Sequence, residues 1–157
     1  MPAGPNPIML YDGVCGLCNR TVQFVLRHDR DRVFRFAALQ SPFATEILRR
    51  HRLDPAQTDT VVVVIHSGQP DEKLLCRSDA VVYALRNLAP PWTALGAVGG
   101  VVPRFIRDAL YRLVAANRYQ LFGKYTACPL PAPGVRDRFL DVDSASAEFP
   151  GRTANRA

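Results

Sequence analysis

The chain of 157 residues carries a net charge of +6, from 18 Arg and 2 Lys against 14 acidic residues, and 48% of it is apolar. That is the composition of an ordinary globular protein, and the length suits one domain with a core of its own. No apolar run approaches the roughly 20 residues of a membrane span; the longest weakly polar stretch, Trp92 to Pro103, is too short and too rich in glycine.

The arginines are scattered apart from Arg49-Arg50 and never interleave with aromatics along a strand. The charge therefore reads as a solvated surface, and no nucleic acid is expected as a partner. The opening MPAGPNP has no basic segment followed by an apolar one, so no signal peptide is expected. The expected compartment is the cytoplasm, where structural disulfides are rare.

In chain order, Ile8 to Tyr11 is an apolar run closed by the turn signal Asp12-Gly13 and predicts a buried strand. From Cys15 onward Val22, Val25 and Leu26, with Phe24 beside them, recur at helical spacing until the charged run Arg27 to Arg32. Val33 to Ala37 alternates and predicts a second strand. Pro42 to Arg52 predicts a helix with Ser41 as its N-cap and Pro42 at its first position. Thr60 to Ile65, TVVVVI, is filled with β-branched residues and predicts a third strand. Ser67 to Glu72 reads as a hairpin loop, Lys73 to Arg77 as the return strand, and Ser78 as the cap of a helix over Asp79 to Leu88.

Pro90-Pro91 ends this unit. Pro103 to about Leu121 predicts one more helix, with Phe105, Ile106, Ala109, Leu110, Leu113 and Val114 on one face and Arg104, Arg107 and Arg112 around it. It reads as a helix packed on the domain. The small polar residues after Leu140 predict a disordered tail over 141–157 behind a domain of residues 1–140.

Strands joined through a helix should be parallel with a right-handed connection, and strands joined by a short loop antiparallel. The order βαβ then ββα is an α/β, thioredoxin-like arrangement with an added C-terminal helical segment. It places the pair Cys15 and Cys18 between the first strand and the first helix, where that fold keeps a redox site.

A thiolate is the nucleophile in disulfide exchange, and a helix N-terminus favours an anion. Cys15 is therefore expected at that terminus with its sulfur toward solvent, as the attacking and more reactive thiol. Cys18, nearly one turn on, is expected to resolve the mixed disulfide. Asp12 is open to three readings: it moves protons for Cys18, it hydrogen-bonds the backbone of its own turn, or, as a carboxylate near a thiol, it raises the thiol pKa and counts against function.

The competing chemistry for the pair is zinc or an iron–sulfur cluster held by a non-catalytic module. The remaining cysteines, Cys76 and Cys128, are single and far apart, and His28, His51 and His66 show no ligand spacing, so no metal or cofactor is expected. Cys76 is expected to be a buried structural thiol and Cys128 a loop residue, with no disulfide between them. A third reading is an interaction domain built on the basic C-terminal helix.

The segment YDGVCGLCNRTVQFVLRHD, with Asp12, Cys15 and Cys18 in a D-x-x-C-x-x-C pattern, resembles the opening of the DCC family of thiol–disulfide oxidoreductases. FRFAALQS at Phe34 to Ser41, RSDAVVYAL at Arg77 to Leu85 and YRLVAANRYQLFGK at Tyr111 to Lys124 extend the resemblance, which covers Leu10 to about Leu140. It implies a thioredoxin-like fold and a redox activity on a thiol or disulfide substrate, protein or glutathione-like.

One departure from thioredoxins is the facing strand, which opens Asp59-Thr60-Val61-Val62 without the proline they place there. The stretch CRSDAV resembles the place where glutaredoxins hold the γ-glutamyl end of glutathione. That likeness implies Ser78 and Asp79 as a substrate anchor, with Thr60 and Val61 pairing with the substrate backbone.

Overall fold

The computed structural model describes residues 6–58, 60–126 and 131–141. Strands β1 (Ile8–Tyr11), β2 (Arg35–Ala38), β3 (Val62–Ile65) and β4 (Lys73–Cys76) form one sheet in the order β2-β1-β3-β4. β1 runs parallel to β2, with Met9 opposite Phe36, and antiparallel to β3; β3 and β4 are antiparallel. Helices α1 (Gly16–His28), α2 (Pro42–Arg50) and α3 (Arg77–Arg86) complete the βαβ and ββα units, so the fold is the expected thioredoxin-like α/β arrangement. Helices α4 (Trp92–Val101) and α5 (Arg104–Phe122) follow, then a 3₁₀ turn over Pro133–Arg138.

The strands sort their side chains by the period of two. Met9, Tyr11, Phe36, Ala38 and Val63 pack with Val22 and Val25 of α1 and Ala80 and Ala84 of α3. Ile8, Leu10, Ala37, Val62 and Val64 pack with Ala44, Ile47 and Leu48 of α2 on the opposite face. β1 lies inside the sheet and is buried along its whole length. Each fully buried side chain of this kind stabilises the fold by about 1.5–3 kcal/mol.

Where β2 and β3 start later than expected, a side chain has taken the backbone. β2 starts at Arg35 and not Val33, because the Asp29 carboxylate accepts the N–H of Val33 and of Phe34, each at 2.9 Å. β3 starts at Val62 and not Thr60, because Val61 N–H donates to the Tyr111 hydroxyl at 3.2 Å. α2 ends at Arg50, two residues early, and Arg52 adopts a left-handed φ of 57°.

α3 begins at Arg77 with Cys76 as its N-cap, so Ser78 is not the cap; it lies in the first turn and its hydroxyl donates to Asp108. Cys76 is half-buried, more open than expected, because it stands at this strand-to-helix junction.

Helix α4 was not anticipated, since glycine is a poor helix former. Its glycines serve packing: a Cβ on Gly96 would stand 2.7 Å from the backbone nitrogen of Arg86, so only glycine lets α4 lie this close to α3. The outer face of α4 and α5 leaves Val101 85% and Phe105 72% exposed.

The last described residues close the free edge of β2. Phe139 stacks on Phe36 with ring centroids 5.2 Å apart, Leu140 N–H donates to the Phe36 carbonyl at 2.9 Å, and Asp141 accepts the Ala38 N–H at 2.8 Å. Arg138 reaches beneath them, donating to the Phe34 carbonyl and pairing with Asp29, both side chains being buried. Of the tail expected over 141–157, Asp141 is held to Ala38 as just described, and 142–157 lie outside the described residues, as does Cys128.

Candidate active site

The site is built on the turn after β1. Asp12 Oδ1 accepts the Val14 N–H at 3.1 Å, and the Asp12 carbonyl accepts the Cys15 N–H at 3.2 Å. Gln40 ties the turn down, donating to Asp12 Oδ1 at 2.9 Å and accepting the Gly13 N–H at 3.2 Å. Asn19 donates to the carbonyls of Gly13 and Cys15. The turn delivers Cys15 as the N-cap of α1 in extended backbone, and its Sγ accepts the Cys18 N–H at 3.4 Å. That is the place at which a helix stabilises negative charge. Both thiols are free.

The sulfur of Cys15 does not face solvent, contrary to expectation: the residue is wholly buried, and Cys18 is 5% exposed. The cause is a strap at the end of α5. Lys124 forms an antiparallel bridge with Cys15, Gly16 N–H donates to the Gly123 carbonyl at 3.1 Å, and Tyr125 N–H donates to the Val14 carbonyl at 2.7 Å. The strap explains the glycine that follows Cys15, since a Cβ on Gly16 would stand 2.0 Å from the Phe122 carbonyl oxygen. It also explains Gly123, whose φ of 77° and ψ of 173° are essentially reserved to glycine.

Asp12 is buried, and its second oxygen accepts the Tyr119 hydroxyl at 2.6 Å, with the Arg118 guanidinium 3.8 Å away. Burial works against its charge. The hydrogen bonds from Tyr119, Gln40 and Val14 and the charge of Arg118 outweigh burial and hold the carboxyl below its ordinary value. One Asp12 oxygen thus serves the turn, as one reading expected, the other joins a network under the strap, and the Asp12 charge helps to raise the Cys18 thiol. The Cys18 thiol is pushed up to about 12, by burial first and then by its hydrogen bond and charge interaction with Cys15. Cys18 is accordingly a neutral thiol at physiological pH.

The four expected substrate contacts are all engaged by α5. Thr60 Oγ1 and the Tyr111 hydroxyl share a hydrogen bond of 2.6 Å, and the same hydroxyl takes the Val61 N–H. Ser78 donates to Asp108, and Asp79 pairs with Arg104 at 3.0 Å and Arg107 at 3.1 Å. Cys15, Cys18 and Asp12 thus come together at one end of α1, while the other four positions form the seam that fastens α5 to the domain. Among the described residues no group of three or more His, Cys, Asp or Glu side chains gathers as a metal site. No helix of the described residues is long and apolar enough to cross a membrane.

Gln40, Arg118, Tyr119 and Lys124 were not singled out from the sequence. All four stand in the two blocks, FRFAALQS and YRLVAANRYQLFGK, that carry much of the family resemblance, and that was the available signal.

Fold and site together define a thioredoxin-like domain with a dithiol at the start of its first helix. The chain belongs to the DCC1-like thiol-disulfide oxidoreductase family, which it matches over residues 9–124. The match ends on Lys124, the strap residue bridged to Cys15. The chain is similar to the uncharacterized protein YuxK of Bacillus subtilis (strain 168), 37% identical over 136 residues that make up 87% of this chain and 95% of that one. It is also similar to the DCC family protein At1g52590, chloroplastic, of Arabidopsis thaliana, 40% identical over 125 residues, 80% of this chain and 70% of that one. No solved structure matches it.

Proposed function

We propose that the protein exchanges thiols and disulfides through Cys15 and Cys18, in a reducing compartment such as the cytoplasm. The observation that carries this reading is the N-cap geometry, in which Cys15 Sγ receives the Cys18 N–H and Cys18 stays protonated beside it. Cys15 as a thiolate attacks a substrate disulfide sulfur, forming a mixed disulfide and releasing one substrate thiol. Cys18 gives up its proton, attacks Cys15 Sγ, and releases the second thiol as the Cys15–Cys18 disulfide forms. Asp12 is the nearby carboxylate that takes the Cys18 proton in this step. The strap over Cys15 has to lift for a protein substrate to reach it.

A glutathione-like substrate docks at Ser78, Asp79, Thr60 and Val61 by taking the places of Asp108, Arg104, Arg107 and Tyr111. In that case Asp79→Asn weakens exchange with glutathione mixed disulfides and leaves other disulfides unaffected.

The test is a trap. Cys18→Ser should accumulate a mixed disulfide on Cys15 when offered an oxidised peptide, and Cys15→Ser should not. Wild type should instead lose two hydrogens and link Cys15 to Cys18, as read by mass spectrometry of peptides. A wild-type protein whose two thiols survive an oxidising glutathione buffer would sink the reading.

A further inference from the structure

Cys18 stands in the wall of a cavity of about 560 Å³ between α1, α3, α4 and α5. That is within the size range of small-ligand sites. The wall is hydrocarbon: Phe24, Leu85, Leu95, Leu110 and Val114 dominate it. The polar side chains that touch it are engaged within the chain. Thr21 donates to the Leu17 carbonyl at 2.9 Å, Tyr111 bonds Thr60, Ser78 bonds Asp108, Arg107 pairs with Asp79, and Arg118 donates to the Tyr119 hydroxyl at 3.1 Å. A ligand in the cavity therefore meets apolar surface and one sulfur, that of Cys18. Cys15 lies behind it, closed off by the strap. A hydrophilic or charged reductant gains nothing from such a wall, and a neutral hydrocarbon chain gains from every methylene it buries.

We propose that this cavity admits an apolar thiol reductant, an aliphatic dithiol best of all, which reduces the Cys15–Cys18 disulfide by attacking Cys18. The inference rests on the pair cycling as described above and names the electron donor's chemistry. The ligand's first sulfur bonds to Cys18 Sγ and breaks the Cys15–Cys18 bond. Cys15 leaves as a thiolate that accepts the Cys18 N–H, and the ligand's proton passes to it through solvent. The ligand's second thiol then attacks its own bound sulfur, closing a cyclic disulfide, and Cys18 leaves and takes the remaining proton. One protein disulfide and one dithiol become two protein thiols and one cyclic disulfide, with two electrons transferred and no further reactant.

The experiment uses the oxidised full chain and two dithiol probes, dihydrolipoamide with its hydrocarbon arm and dithiothreitol without one. Each rate is normalised to that on a small-molecule disulfide. Dihydrolipoamide is expected to be faster by at least about tenfold, which the burial of two methylene groups already supplies. A monothiol probe, hexanethiol, is expected to leave its adduct on Cys18 in peptide mass spectra. Gly99→Phe, whose Cβ would meet Val82 in the cavity wall at an ordinary 3.5 Å, should bring the ratio of the two rates toward one. Leu110→Glu, at a position 60% exposed on α5, repeats that arm should the first variant not fold.

Equal normalised rates in wild type, an adduct on Cys15, or a preference that survives both variants overturns the inference while leaving thiol–disulfide exchange standing. Failure of both dithiols to reduce the pair overturns the two together.

Discussion

Two buried carboxylates in this domain each face an arginine from the C-terminal part of the chain, and they do different work. Asp29 caps the end of α1, accepts the backbone N–H of Val33 and Phe34, and pairs directly with Arg138. Every partner it has is structural. Asp12 has one oxygen in its own turn, while the other faces the Tyr119 hydroxyl, with Arg118 held off at 3.8 Å. Its charge acts on Cys18. A carboxylate wholly committed to backbone and guanidinium fixes a chain crossing. A carboxylate shared between its own turn and the Tyr119 hydroxyl, with the Arg118 charge at 3.8 Å, ties the end of α5 to the turn that carries the thiol pair.

The sharpest way to break the comparison is to remove one partner of each pair. Arg138→Met leaves Asp29 buried without its counter-charge and should cost about 3–5 kcal/mol of stability. Thermal or denaturant unfolding reads this, and the protein that stays folded should exchange disulfides at the wild-type rate. The double variant Asp29→Leu with Arg138→Met should recover part of the loss, since removing both charges also removes their desolvation cost.

Asp12→Asn keeps the turn, because an amide oxygen still accepts the Val14 N–H. It should slow resolution by Cys18 on the order of 100-fold, with a much smaller change in stability. Stopped-flow release of product from the Cys15 mixed disulfide measures the step. An unchanged rate would return Asp12 to the same structural class as Asp29.

The strap comes next. Gly16→Ala pushes a methyl against the Phe122 carbonyl, so Gly123 to Tyr125 should detach and Cys15 alkylate faster, by roughly tenfold if the opening becomes about 1.4 kcal/mol easier. Mass spectrometry of the alkylated peptide reports which cysteine reacted.

The pH dependence probes the Asp12 region from its acid and its alkaline side. The Asp12 carboxyl is lowered in the fold, so its contribution to stability is present above the ordinary value of 3.8 and is lost as pH falls through the folded value. The Cys18 thiol is raised, so the folded state holds its proton more tightly. Stability is unaffected below the ordinary value of 9.0 and falls as pH rises from there to about 12. Cys18→Ala should make the alkaline limb shallower, with the raised Cys76, Tyr83, Tyr111 and Tyr119 supplying the rest of it, and leave the acid limb in place. The smallest effect is expected from Tyr119→Phe, which removes one hydrogen bond to Asp12 and should cost about 1 kcal/mol, with the Asp12 carboxyl titrating higher.

What could be read in advance followed how local each feature is. Ile8 to Tyr11 appeared with its observed ends because an apolar run and the Asp-Gly turn are neighbours in sequence. Ser41 was legible as a cap because its partner, the Ala44 N–H, is three residues away. Ser78 has the same residue type in a similar setting, yet its partner is Asp108, thirty residues on, and no local pattern announces that bond. Helix α4 was hidden for a related reason: its glycines lower helix propensity locally and fit only against the backbone of α3.

The sequence by itself determined the order of strands and helices, the thioredoxin-like class and the position of the cysteine pair, because periodicity and the D-x-x-C-x-x-C spacing are properties of short segments. Only the tertiary structure decided that Cys15 is covered, that Asp12 answers to Tyr119 and Arg118, and that Thr60, Val61, Ser78 and Asp79 are held by α5. Each of those facts depends on where the chain lies many residues later, as the separations of 28 for Arg107–Asp79 and 107 for Tyr119–Asp12 illustrate. Such placement is settled by packing α5 and its strap against the sheet, a balance of burial and hydrogen bonding over the whole domain that no window of sequence contains.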